Sequence, residues 1–194
     1  MSFWNCQSVI MVVFLLSSLL MPLTLSAADK LSALYSAQSV SYSLPWIAQD
    51  AGLFRKHNLD FQLVYIPSSG VATAALLGGD VEIALAGGVG IVRAFAQGAS
   101  DLVFIGGFKN ALTHSIVAKP EMNKPDDLKG KKIGITRLGS NSHYFAVQAL
   151  RRMGLDASRD VTLIQAGGEA ENVAALINGA MRAGSITTPA DNRA

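Results

Sequence analysis

Phe61-Gln62-Leu63-Val64-Tyr65-Ile66, Pro67-Ser68-Ser69-Gly70, Val71-Ala72-Thr73-Ala74-Ala75-Leu76-Leu77 and Gly78-Gly79-Asp80-Val81-Glu82-Ile83-Ala84-Leu85-Ala86 follow one another without a gap. The first group is a short apolar run rich in aromatic and β-branched residues, which predicts a strand over Phe61–Ile66. A Pro/Ser/Gly turn ends it, and the Ala/Leu-rich run Val71–Leu77 predicts a helix. Gly78-Gly79 stops that helix, and Glu82–Ala86 predicts a second strand. Strand, turn, helix, turn, strand is the unit from which parallel sheets are built.

The alternation extends both ways. Upstream, Lys30–Ser36 predicts a strand and Pro45–His57 a helix; downstream come Val89–Gln97 (helix), Leu102–Ile105 (strand) and Ser115–Ala118 (strand). The polar, proline-bearing run Lys119-Pro120-Glu121-Met122-Asn123-Lys124-Pro125-Asp126-Asp127 then interrupts, and it is the expected domain boundary. Beyond it lie Lys132–Thr136 (strand), His143–Met153 (helix), Val161–Gln165 (strand) and Ala170–Met181 (helix). Ala74-Ala75-Leu76-Leu77-Gly78-Gly79 is echoed by Ala174-Ala175-Leu176-Ile177-Asn178-Gly179 about a hundred residues later. That interval is too wide for a solenoid and suits a duplicated α/β lobe.

Of the 194 residues 50% are apolar and 15% charged, with a net charge of +2, so the chain can build a core and is not compositionally disordered. Lys and Arg are scattered, which leaves no electrostatic footprint for nucleic acid. The charges begin only at Asp29. Before it stand the apolar run Val9–Leu16, Leu19-Leu20-Met21, and the small residues Ser26-Ala27-Ala28, the pattern of a signal peptide over residues 1–28 cut after Ala28. No Lys or Arg precedes the run, so an uncleaved membrane anchor is the other reading. Cys6 precedes the run and cannot be a lipoprotein cysteine; the mature chain would hold no cysteine, which suits an oxidising compartment.

Five blocks carry a resemblance. Pro45 through Asp60 (PWIAQDAGLFRKHNLD), Ala75 through Ala84 (ALLGGDVEIA), Asp127 through Gly134 (DLKGKKIG), Leu138-Gly139-Ser140, and Gly154-Leu155-Asp156 with Asp160-Val161-Thr162 stand in the order found in solute-binding proteins of ABC importers for nitrate, sulfonates, taurine and the thiamine pyrimidine precursor. The chain resembles that family from about residue 30 to about residue 190. The resemblance implies an α/β protein of two Rossmann-like αβα lobes, the periplasmic-binding-protein fold, with lobe 1 over 29–118 and lobe 2 over 119–194. It further implies a periplasmic monomer that captures a small-molecule solute and docks on an ABC transporter permease in the inner membrane, with no catalysis, no cofactor and no nucleic acid. Two full lobes call for ~200 to 300 residues, and the family's chain returns to its first lobe, so the second lobe is expected to be incomplete and the first the better ordered. Ala180-Met181-Arg182-Ala183-Gly184-Ser185 departs from the acidic strand entry of the first lobe, and Ile186-Thr187-Thr188-Pro189 reads as a poor central strand.

Helix N-termini offer unpaired N–H groups and a positive dipole end to an anion. Ser41, Ser43, Ser69, Gly88, Ser140 and Ser142 stand at four such starts and are the expected ligand-binding residues, with helix capping as the alternative role for each. No Lys or Arg falls within these turns; Arg137 is the nearest. Tyr42 and Trp46 read as lobe core, and His57, His114 and His143 lack metal-ligand spacing and read as exposed or core-edge side chains. Gly87-Gly88-Val89-Gly90 lacks the third glycine of a dinucleotide turn. Two other classes remain: a pyrimidine-synthesis enzyme of the same fold, whose cysteine-rich motif is absent here, and the sensor lobe of an anchored receptor.

Overall fold

The computed structural model describes residues 27–187. Most of the leader reading therefore falls outside the described residues. Among the described residues seven strands are present: β1 (Asp29–Tyr35), β2 (Leu59–Tyr65), β3 (Ile83–Leu85), β4 (His114–Ala118), β5 (Lys132–Ile135), β6 (Thr162–Gln165) and β7 (Ala183–Thr187). The helices are α1 (Leu44–Asp50), α2 (Leu53–Lys56), α3 (Ser69–Gly78), α4 (Gly88–Ala96), α5 (Asn141–Arg152) and α6 (Glu169–Ile177). Two sheets result, ordered β2-β1-β3 and β4-β7-β5-β6. All pairs are parallel except β4–β7.

The repeat seen in the sequence is a repeat of hydrogen bonding. Ala33 pairs with Leu63 and Ile83, and Ile133 pairs with Leu163 and Ala183; Leu34 pairs with Val64 and Ala84, and Gly134 with Ile164 and Gly184. Each number in the second lobe is its counterpart plus one hundred. The helix ends agree: Asp80 N–H donates to Ala75 O and Ala180 N–H to Ala175 O, each at 3.0 Å. Gly79 and Gly179 hold the left-handed turn there, at φ 77° and 75°.

Four expectations are corrected. The helix over Pro45–His57 is two helices, because Gly52 at φ 69° breaks it between α1 and α2. Leu102–Ile105 forms no strand: an apolar run becomes one only beside a partner edge, and here Val103, Phe104 and Ile105 are 78%, 67% and 77% exposed. Residues 186–187 do form part of a central strand, since β7 lies between β4 and β5 and every residue of it is buried. Thr188 and Pro189, the rest of that run, lie outside the described residues. Finally β4, which the sequence placed before the boundary, is hydrogen-bonded into the second sheet through β7, so that sheet draws on residues from both sides of 119–127.

Packing favours the second lobe. Leu34, Ala72, Ala75 and Val81 form the first core. The second sheet carries two clusters, Leu128, Ile133, Leu150, Leu155, Val161 and Ala183 on one side and Val173, Leu176, Met181 and Ile186 on the other. Among the described residues, Leu34 is the one large, fully buried apolar side chain that belongs to the first lobe. Arg182, which stands where an acidic residue was expected, reaches Glu121 Oε1 at 3.1 Å, whereas Glu82 of the first lobe accepts the N–H of Ser32 at 2.8 Å. No helix among the described residues is long and apolar enough to cross a membrane.

Candidate functional site

A cavity of about 740 Å³ lies between the lobes. The residues that line it stand just past the carboxyl ends of the parallel strands: Ser36 after β1, Ser68 and Ser69 after β2, Gly87 and Gly88 after β3, Thr136 after β5, Glu169 after β6. That end of an open parallel sheet is where chains leave for their helices and where a crevice forms. Tyr42, residues 106–113 of the link between the lobes and His114 at the start of β4 form a further part of the wall.

The lobes touch through Asn141, at the start of α5. Its N–H donates to Ser69 Oγ at 3.0 Å, and its Oδ1 accepts the N–H of Val89 at 3.2 Å. Gly87 leaves the space its side chain occupies, for a Cβ there would overlap the Asn141 amide. Behind it a buried hydroxyl cluster fixes the β5–α5 turn: Thr136 Oγ1 lies 3.0 Å from Ser140 Oγ and 2.8 Å from Ser142 Oγ, and Ser140 Oγ donates to Arg137 O at 2.7 Å.

Of the six expected binding residues, Ser69, Gly88 and Ser142 line the cavity. Ser41, Ser43 and Ser140 are outside its lining: Ser41 Oγ pairs with Ser39 Oγ at 3.1 Å, Ser43 Oγ donates to Val40 O at 2.7 Å, and Ser140 Oγ caps α5 by accepting the N–H of His143 at 3.3 Å. Ser68 Oγ likewise accepts the N–H of Gly70 at the start of α3. Helix-start donors at α3, α4 and α5 thus already have side-chain acceptors, two of them reaching across the lobes.

The sequence reading passed over Lys109, Phe108 and Glu169, and it took Tyr42 for lobe core and His114 for an exposed or core-edge side chain, whereas all five line the cavity. Tyr42 is buried and meets Phe108 edge-on with centroids 5.2 Å apart, while the Lys109 ammonium sits 5.3 Å from the Tyr42 ring centroid and donates to Thr113 Oγ1 at 3.1 Å. Burial pushes the Tyr42 phenol up and the Lys109 ammonium down, with the Glu169 carboxylate partly opposing the shift at Lys109. Glu169 opens α6 and accepts the N–H of Thr187 at 3.2 Å, and Glu171 accepts that of Gly168 at 3.0 Å. His114 stacks on Phe145 at 5.4 Å, and burial, with the Lys109 charge nearby, lowers its pKa to about 4. No sequence motif marks these side chains together, since Tyr42, Lys109 with His114, and Glu169 reach one cavity from three separate segments. Among the described residues no group of His, Cys, Asp and Glu could hold a metal ion.

The alkanesulfonate-binding protein SsuA of Xanthomonas axonopodis pv. citri, solved bound to MOPS, is similar to this chain at 26% identity and a TM-score of 0.69, over 83% of this chain and 55% of its own. The periplasmic aliphatic sulphonate binding protein SsuA of Escherichia coli is also 26% identical, with a TM-score of 0.59 over 84% of this chain and 52% of its own. The periplasmic nitrate-binding protein NrtA of Synechocystis PCC 6803 shares the fold at 16% identity and a TM-score of 0.67, over 84% of this chain and 47% of its own. The chain spans about half the length of these structures. Among curated proteins none matches. These neighbours bear out the expected α/β periplasmic-binding-protein fold, and the NMT1/THI5 like family model matches residues 43–190: the chain belongs to that family.

Proposed function

We propose that this protein is the capture component of an ABC importer, which takes up a small anionic or polar solute between its lobes and hands it to a permease in the inner membrane. The supporting observation is the cavity at the carboxyl ends of the parallel strands of both sheets, closed by contacts such as Ser69–Asn141 that need both lobes together. Buried hydroxyls, aromatic walls and a lysine suit binding and orientation of a polar solute. No nucleophile–base pair is formed by these groups, and the reading assigns them no catalytic step. Residues 1–28 act in it as the export signal, with the mature chain starting at Asp29.

Thermal shift of the purified chain against nitrate, taurine, alkanesulfonates and pyrimidines tests the binding. A rise in melting temperature with at least one, abolished by Ser69→Leu, is expected. If none shifts it, the binding reading is wrong. Recovery of a membrane-bound product that retains Met1 from a Gram-negative host would overturn the export reading.

A further inference from the structure

We infer that His143 is a proton-sensitive latch for the contact between the lobes: its neutral ring pins the β5–α5 turn in the shape that seats against the first lobe, and a proton on that ring frees the turn. The latch concerns the junction alone and does not rest on the capture reading above. His143 is the third residue of α5 and holds the turn twice. Its backbone N–H donates to Ser140 Oγ at 3.3 Å, and its ring Nδ1 accepts the N–H of Gly139 at 3.0 Å. A ring nitrogen accepts only while it carries no proton, so the second bond belongs to the neutral Nε2–H tautomer and is lost in the imidazolium.

The pinned turn is the piece of the second lobe that the first lobe grips. Leu138 O and Ser140 N border the space beside Gly70 at the start of α3, and Asn141 bonds to Ser69 and Val89. The Arg93 guanidinium of α4 lies against Gly139, where a Cβ would stand 2.7 Å from its Nη1. Gly139, at φ 81°, supplies the left-handed conformation that the turn needs. A proton at Nδ1 acts twice at this one place: it sets N–H against N–H at Gly139, and it puts a positive ring near the Arg93 cation. The charged groups around the ring give it no free counter-ion. Arg93 faces it from α4, Arg137 stands on the turn, and β6 contributes the uncharged Leu163. On its other side His143 borders a surface cavity of about 660 Å³ with Arg151 of its own helix and Asp156 and Arg159 of the turn that follows. Asp156, the one carboxylate there, already accepts the N–H and the hydroxyl of Ser158, at 2.8 and 2.6 Å. Burial first and the Arg93 charge second hold the imidazole below its usual range. With the lobes apart the ring takes up its proton more readily, so the contact is complete above pH 6.5 and is lost as pH falls below it.

The test is small-angle X-ray scattering of the full chain between about pH 8 and about pH 5, the range in which an imidazole changes charge. Circular dichroism and the NMR titration of the His143 ring accompany it, all in a His114→Phe background so that the other buried imidazole is removed. The expected result is a radius of gyration that rises as the His143 ring takes up its proton, with the helical signal kept. In His143→Asn the rise is lost, because Oδ1 stands where Nδ1 stood and accepts the Gly139 N–H at every pH. In Arg93→Gln the ring titrates at higher pH and the rise moves with it. A constant radius while the ring titrates, a ring still neutral at the acid end, a rise that His143→Asn retains, or a rise that comes with loss of the helical signal overturns the latch. Should His143→Asn not fold, Arg93→Gln decides: a rise that does not follow the displaced titration overturns the latch as well.

Discussion

The backbone N–H of Asn141 donates to Ser69 Oγ at 3.0 Å, joining the first turn of a helix in one lobe to the first turn of a helix in the other. Because Ser69 is buried, Ser69→Ala leaves that N–H without its partner in a place where water replaces it poorly, at a cost of about 1–3 kcal/mol. Gly87→Ala attacks the same junction by bulk: the alanine fits the backbone, with φ at −67°, but its methyl meets the Asn141 amide. We expect both variants to keep their helical signal, to melt lower, and to scatter X-rays with a larger radius of gyration. An unchanged radius in Gly87→Ala would show that the lobes do not depend on this junction.

Gly134 and Gly184 face each other in neighbouring strands, and Asn172 and Met181 fill the space above them. A methyl on Gly134 would overlap Asn172 Oδ1 and Met181 Sδ, both on fully buried side chains with nowhere to move. Gly134→Ala should therefore destabilise by about 1–3 kcal/mol, the usual range for overpacking. Urea denaturation with an unchanged midpoint would contradict this.

His114 links stability to acidity. Its folded-state pKa of about 4 lies below the ordinary value of 6.5, so between those limits the unfolded chain binds the proton more readily. Stability due to this residue is complete above pH 6.5 and is lost as pH falls toward 4. The melting temperature of the parent chain should decline across this window more steeply than that of His114→Phe, which keeps a ring against Phe145 and has nothing to protonate. Parallel profiles for the two proteins would remove His114 as the cause.

Val103 and Ile105 lie on the surface without a strand to join. Exposed β-prone apolar runs promote association between chains. Val103→Lys with Ile105→Lys should raise the concentration at which the protein aggregates, measured by light scattering, while moving the melting temperature little. A large drop in melting temperature would mean that the run is packed in solution.

The local pattern carried most elements and little of the cavity. The units Phe61–Ala86 and Lys132–Gln165 could be read directly because each strand and helix is set by its own apolar period and its own Gly or Ser stops. Leu102–Ile105 has the same apolar period, yet strand formation depends on a neighbouring edge that no local pattern encodes. β7 shows the converse, a run of small and hydroxylated residues made central by the two strands beside it. At the cavity, Ser69, Gly88 and Ser142 were visible as residues of helix starts. Lys109, His114 and Glu169 were not, since what makes them one group is the meeting of two sheets.

The spacing of the paired residues also sets an order of assembly during synthesis. Ala33 finds both its strand partners within fifty residues, so the first sheet can close once Leu85 has left the ribosome. His114 must wait for Thr187, and β5 cannot acquire its inner neighbour until β7 emerges. Closing a longer loop costs entropy before any pairing is gained, which slows folding. A nascent chain halted near Ile177 would thus carry a formed first sheet beside β4 and β5, both lacking their common partner. That is the stage at which a chaperone has most apolar surface to hold, and pulse proteolysis of stalled chains would find it there.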